Sequence, residues 1–589
     1  MRTLVAILIF AFAFPAFAQE RSNSAGYIRM PINISINKDN SLGHALGGGR
    51  KIINHISLNI ISGNAARLRG IEVGGVANVY SEDIFGIQAA GLANVTGGGF
   101  GIQAAGLANV NQNGFMGIQV GGLANVNEGE FFGAQGAFVA NVVQGDAGGI
   151  QFGGIANVVE GSFHGIQGSY VANIIQDGAS GIQLGGIANV VESGVQGVQV
   201  AGIANVVEGG VQGIQVAGIA NVVEQGAGGV QAAGLANVIE GNFHGIQASG
   251  LANVIEQDAS GVQIAGLANV IGGDHLGVQV AGLANVIDGD KLGVQVAGLA
   301  NVVGGEYQGV QASGLANVIE QDANGVQVAG LANVIGGDHL GVQGAGLANV
   351  VNGNKLGVQG AGLANVVEGN LYGVQISGFV NYAETIPRGV QVTSLLNYKL
   401  VSGVQVAPLN LSKENHGIPI GLVSAIEGIK GAVEVWASEA KFLNIGIRSG
   451  TEYFHNLVFV GTQIDDPSTW SIGWGIGTHK NITDSSYLEI DGNIQHINED
   501  EFWTSEKNTL GKVRVAGGWD IKDGITFFAG PTFNYLVSDV SDGSDYASWS
   551  LSEKGSNGDW KRSWIGLDAG IRFEGLDLYT FFSRQLNMW

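Results

Sequence analysis

An asparagine recurs every 16 residues from Asn109 to Asn397, inside a block that reads G-V-Q-V-A-G-L-A-N-V. The series runs Asn109, Asn125, Asn141, Asn157, Asn173, Asn189, Asn205, Asn221, Asn237, Asn253, Asn269, Asn285, Asn301, Asn317, Asn333, Asn349, Asn365, Asn381 and Asn397. Asn78 and Asn94 extend it backwards, with one residue missing between Asn94 and Asn109. A glutamine lies six residues before each asparagine from Gln88 to Gln391, Gln263, Gln279 and Gln295 among them, and the first copy has Glu72 instead. Self-similarity at a short fixed period marks a repeat architecture and overrides a domain count drawn from length. More than half of the 589 residues is one unit copied about twenty times. Such a chain builds a surface rather than a single catalytic pocket.

One unit, residues 277–292, reads GVQVAGLANVIDGDKL. Val, Leu and Ala dominate its first part, and Gly, Asp, Asn and Glu its last, so strand chemistry is followed by turn chemistry with no helical stripe. No proline occurs between Ile32 and Ile386, which leaves every interior amide free to donate to a ladder. The expected fold is all-β, a solenoid in which each 16-residue unit is one coil. Coils stack about 4.8 Å apart, so twenty would rise about 95 Å. Like residues would then lie over one another, the asparagines and glutamines forming side-chain ladders. The alternative is one large membrane β-barrel with each unit a single strand of about ten residues. Against it stand the missing aromatic girdles and the uniform linkers, since a barrel alternates short turns with long loops. The solenoid reading leaves one inconsistency: past the corner, L-A-N-V-I has small or apolar groups on both faces.

The formal net charge is −23, and between Glu72 and Thr385 the only basic side chains are Lys291 and Lys355. That surface would repel nucleic acid. The loop text also repeats at an offset of 64, with EQDASG at 256 and EQDANG at 320, which reads as duplication of a four-unit block. Carboxylates recur in loop after loop, as a solvated edge requires. Asp274, Asp290 and Glu306 would hold divalent cations only weakly, because the loops lack the spacing of a calcium-binding roll. No cofactor is expected. His164, His244, His275 and His339 fall in the variable loops and read as surface residues. Among the loop aromatics Phe131, Phe132, Phe163, Phe243, Tyr307 and Tyr372, the favoured role is to staple the core edge, with a ligand-facing stripe as the alternative. His479 and His496 have no neighbouring nucleophile, so no enzyme is expected.

The N-terminus reads as an export signal over residues 1–18: Arg2, an apolar stretch over residues 4–14, and Ala16-Phe17-Ala18 before the cleavage point. With no cysteine in the chain, disulfides do not stabilise the exported fold. Residues 19–69 form an N-terminal cap region, 70–400 the repeat array and 401–430 a transition. From 431 to 589 the text turns aromatic and alternating. Eight segments stand out, at 432–449, 452–464, 470–482, 487–498, 510–521, 525–538, 563–573 and 576–589. An even strand count and a last strand ending on aromatic Trp589 describe an outer-membrane barrel. The competing reading is a soluble β-sandwich. An eight-stranded barrel fills its interior with side chains and anchors rather than conducts. Segments 499–509 and 539–562 suit external loops.

The pattern G-[VIL]-Q-x-x-G-[LIF]-[AV]-N, as in Gly277–Asn285, resembles the repeats of bacterial surface-repeat outer-membrane proteins. GAVEVWASEAKFLNIGIRSG (431–450) with WSIGWGIGTHKNI (470–482) is similar to the barrel-like tail of Bacteroidetes-type members. The resemblance covers most of the mature chain. It implies location in a Gram-negative outer membrane and a repeat-plus-barrel architecture, and it brings no catalytic residues. The expected function is a non-enzymatic, outer-membrane-anchored surface or scaffold protein whose repeats adhere to or bind surface proteins, glycans or copies of itself, facing either the exterior or the periplasm. The alternative is a pore built from the repeats.

Overall fold

The computed structural model describes residues 26–451, 453–555 and 559–586. The expected signal peptide and the terminal Trp589 lie outside the described residues. The protein is 69% strand and 3% helix, a parallel β-solenoid of about 23 turns plus a closed antiparallel barrel of eight strands. The described residues fall into two units divided between Asp288 and Gly289.

From Phe115 on, each turn of the first unit carries a seven-residue strand, a bend and a four-residue strand, as in Val195–Ala201 and Ala204–Val207. Each strand pairs in parallel with its copy one turn on, Val195 with Val211 and Asn205 with Asn221, so like residues stack in register. Every repeat strand is thus hydrogen-bonded to a parallel neighbour, which excludes the alternative of repeats as antiparallel strands of one large membrane barrel.

Two glycine columns permit the stacking. Gly197 sits at φ 137, where L residues are strained, and a Cβ there would lie 2.1 Å from the Gly181 carbonyl oxygen. At the bend, a Cβ on Gly202 would lie 2.1 Å from the Gly186 oxygen. Parallel pairing begins ahead of the repeats, with Tyr27–Ser35 on Lys51–Asn59. A short helix, Leu42–Gly47, joins these strands and is capped by the Ser41 hydroxyl accepting from the His44 amide at 3.0 Å.

The second unit carries further turns of the same anatomy, such as Lys291–Ala297 paired with Tyr307–Ser313. Near Pro387 the period contracts, and Asn397 bonds Asn410 only 13 residues on. The residues expected as a transition continue the solenoid, down to Ile418–Ile420 and Val423–Ile426. The last turn meets the outer wall of the barrel. Asn456 accepts from the Gly421 amide at 2.9 Å and donates to the Pro419 carbonyl at 2.6 Å. The Ser449 hydroxyl accepts from the Ser424 amide at 2.9 Å, and Trp474 Nε1 donates to the Gly421 carbonyl at 2.6 Å. These bonds occupy polar groups of a strand edge that would otherwise stand open.

The barrel strands are Gly431–Ser438, Phe442–Gly450, Phe454–Gln463, Trp470–Thr483, Ser486–Asn498, Asn508–Lys522, Ile525–Ser538 and Trp560–Leu576. Closure comes from the first pairing with the last, Val433 opposite Phe573. Two segment readings are corrected here. Segment 432–449 is a hairpin of two strands, turning through Glu439–Lys441, where Lys441 adopts φ 63. The described part of segment 576–589 is not a strand: Leu578–Leu586 is a helix, with Asp577 accepting from the Thr580 amide at 3.1 Å as its cap. Its Leu578, Tyr579 and Phe582 pack on Leu396, Leu411 and Ala425 of the solenoid, a spacing that only a helix delivers to one side.

Candidate binding surface

The repeated amides lie inside the solenoid. Every asparagine of the 16-residue series from Asn78 to Asn397 is completely buried, and the stacked glutamines are at most 2% exposed. In the first unit Asn221 donates to Asn237 Oδ1 at 2.8 Å and to the Ala232 carbonyl at 2.9 Å. Gln215 Nε2 donates the other way, to Gln199 Oε1 at 2.8 Å. The second unit repeats the pattern, Asn317 donating forward to Asn333 at 2.8 Å and Gln327 back to Gln311 at 2.9 Å. Asparagine donors therefore point along the chain direction and glutamine donors against it. The two amide stacks run antiparallel, so their dipoles oppose, and each buried amide finds partners one turn away.

Beside the ladders run two apolar columns. One is Val or Ile at the end of the short strand, such as Val207 and Ile239, with no exposure. The other is the first residue of the long strand, where Phe131, Phe163, Phe243 and Tyr307 are 0–3% exposed and staple the core edge. Phe132 and Tyr372 are instead about two-fifths exposed. His275 and His339 share the buried column at 2% each, which corrects their assignment to the surface, while His164 and His244 are exposed. Lys291 and Lys355 lie in that column as well. Lys355 Nζ donates to the Gly341 carbonyl at 2.5 Å, and burial lowers both ammonium groups to about 7. The array between Glu72 and Thr385 therefore exposes carboxylates and no cationic side chain.

Outward positions are largely aliphatic, with Ile118, Ile214 and Val310 each exposed by more than 40%. The apolar text on both faces of L-A-N-V-I resolves in the same way: Asn and the last Val or Ile point inward, Ala and the first Val outward and half-buried. Loop carboxylates accept backbone amides from the next turn, Asp258 from Asp274 at 2.8 Å and Asp290 from Glu306 at 2.7 Å. Glu72 opens the glutamine column. It accepts from Asn59 at 2.6 Å and Gln88 at 3.1 Å, and burial raises it to about 7. Among the described residues no cluster of three or more His, Asp or Glu is placed to hold a metal ion.

The barrel is charged within and apolar without. Its lumen holds Glu434, Glu489 and Asp491 against Arg448, Arg514 and Arg572, all 8% exposed or less. Arg514 reaches Asp491 at 2.6 Å and Glu489 at 3.1 Å, Arg572 reaches Glu434 and Glu489 at 2.7 Å, and Arg448 reaches Glu489 at 2.8 Å. His455 adds a 2.7 Å contact to Asp491. Three guanidinium groups and three carboxylates thus balance in charge within the lumen, as do Lys512 and Asp568 at 2.9 Å. The wall outside carries exposed Ile445, Val460, Ile490, Val513, Phe533 and Ile571. This cluster lies outside the site residues expected from sequence. Its signal was present, since Glu434, Glu489, Asp491, Arg514 and Arg572 are lone charges at alternating positions of apolar strands.

No family model and no curated protein matches the chain. Among solved structures, Neisserial surface protein A is matched at 14% identity over 25% of this chain and 94% of that one, with a TM-score of 0.16.

Proposed function

We propose that this chain is a non-catalytic scaffold of the outer membrane, anchored by its barrel and presenting the solenoid as a binding surface on the periplasmic side. The observation that carries the anchoring is the inverted barrel: a wall of Ile, Val and Phe around a lumen of paired charges suits hydrocarbon outside and not water. Loop lengths support the orientation. The last solenoid turn bonds the barrel beside the end where Gly450 leads to Phe454, Thr483 to Ser486 and Lys522 to Ile525 through connections of two or three residues. Asn498–Asn508 and Ser538–Trp560, the long connections, lie at the opposite end. In outer-membrane barrels the short turns face the periplasm and the long loops the exterior. The repeat and tail motifs quoted above are in keeping with a surface-repeat outer-membrane family.

Density-gradient fractionation tests the anchoring. The account expects the protein in the outer-membrane fraction, released only by detergent, and no conductance when it is added to planar bilayers. Recovery in detergent-free periplasmic extract contradicts the anchor, and stepwise conductance contradicts a lumen filled by side chains.

A further inference from the structure

A trough of about 1500 Å³ runs along the loop edge of the first unit, between the turn of Phe163 and that of Phe243. Small residues make it. The residue before each long strand is Asp146, Ser162, Asn242 or Asp258 in the flanking turns, and Gly178, Gly194, Gly210 and Gly226 in four consecutive turns between them. The fold does not demand these glycines. A Cβ on Gly194, Gly210 or Gly226 would stay 3.2 Å from the nearest atom and one on Gly178 3.5 Å, against 2.1 Å in the columns that stacking requires. The adjoining outward column is mostly polar here, whereas elsewhere polar Ser260, Gln308 and Asn324 are mixed with large apolar side chains. His164, Ser180, Gln196, Gln212, Gly228 and His244 follow one another in register, and the apolar side chains outside include Phe132, Leu276 and Leu292. In flanking turns an Asx oxygen accepts the next turn's amide, as Asp146 does from Ser162 and Asn242 from Asp258. With glycine at that register, the amides of Gly194, Gly210 and Gly226 lack this acceptor.

We propose that the trough binds an uncharged, linear, β-1,4-linked hexose chain laid along the stacking direction. The step decides between polymers. The turns of Gly194, Gly210 and Gly226 each offer a backbone donor, and the two central turns add Gln196 and Gln212, which both donate and accept. These groups repeat about every 4.8 Å, and the five steps from the turn of Phe163 to that of Phe243 span about 24 Å. An extended β-linked hexose chain advances by nearly the same step per sugar and presents hydroxyls that donate and accept at each one. A peptide strand advances about 3.3 Å per residue and falls out of step within two turns. A polyanion is repelled, because the rim carries Glu192 and Asp258 and the array exposes no cationic side chain.

The inference rests on the reading of the array as a presented binding surface. Its test is calorimetric titration of the full chain in detergent micelles with the hexasaccharides of β-1,4 N-acetylglucosamine and of β-1,4 glucose. At least one hexasaccharide is expected to bind saturably, and its disaccharide about tenfold more weakly or worse. Gly194→Asn with Gly210→Asn places in the trough the residue that Asn242 shows the fold accepts, so melting should hold while binding falls at least about tenfold. Should that variant melt early, Gln196→Ala with Gln212→Ala decides, both side chains being exposed. Failure of both hexasaccharides to bind, or undiminished binding in a well-folded variant, overturns the proposal. Because the titration uses purified protein, failure here leaves the membrane orientation standing, and a wrong orientation leaves the titration unaffected.

Discussion

Glu72 stands where every later turn has a carboxamide, and the difference is measurable. Its folded value is about 7 against an ordinary 4.5, so the folded chain keeps a proton that the unfolded chain releases between those values. Stability is then full below about pH 4.5 and falls as pH rises toward 7. Glu72→Gln supplies a neutral amide that donates as well as accepts. Its unfolding free energy should match the wild type near pH 4 and exceed it above pH 7, by up to about 3 kcal/mol, read as a higher melting point only at the higher pH. Equal melting at both pH values would contradict the burial of that carboxyl. The ladders make a second residue-scale claim. Asn221→Asp keeps the shape but loses the donor to Asn237 and to the Ala232 carbonyl. Unpaired buried groups cost about 1–3 kcal/mol each, and in a solenoid the cost falls on the nearest turns. Hydrogen exchange should therefore quicken around residues 205–237 and not at the ends of the array. The invariant Asn and Gln were readable because ladder chemistry forbids drift. His275 and His339 are buried against expectation because loop and strand meet at their position, where composition signals water. The cue was their register with Phe131, Phe163 and Tyr307.

At the scale of elements, parallel pairing followed from the period, since only stacking places identical residues side by side every 16 residues. The barrel was legible as alternation, and its segments only in part. The hairpin within 432–449 turns on Lys441 in the left-handed region, with neither Gly nor Pro to announce it. The final segment has strand-like aromatics, but its Leu578, Tyr579 and Phe582 are claimed by the solenoid core, and tertiary packing overrides propensity. The charged lumen gives a prediction here. Arg514 is completely buried among Glu434, Glu489 and Asp491, so Arg514→Ala strands carboxylates without a cation and should cost about 3–5 kcal/mol. Urea unfolding in detergent reads this directly. A variant as stable as the parent would show that the charge cluster does not hold the barrel together.

For the whole molecule, the last solenoid turn bonds the barrel beside its short turns, and the proposed periplasmic placement of the array rests on this. The sequence does not encode this junction in any local pattern: it lies in the bonds from Gly421 and Ser424 to Ser449, Asn456 and Trp474. The chain has no cysteine, so single reporters can be placed at will. Ser193→Cys marks an exposed loop of the array, and Ser548→Cys an exposed residue of the longest barrel connection. The deciding measurement is labelling of intact cells with a membrane-impermeant maleimide, repeated after the outer membrane is permeabilised. The account predicts that the cysteine at 548 labels in intact cells and that the one at 193 labels only after permeabilisation. Equal labelling of 193 on intact cells would place the array outside and contradict the orientation.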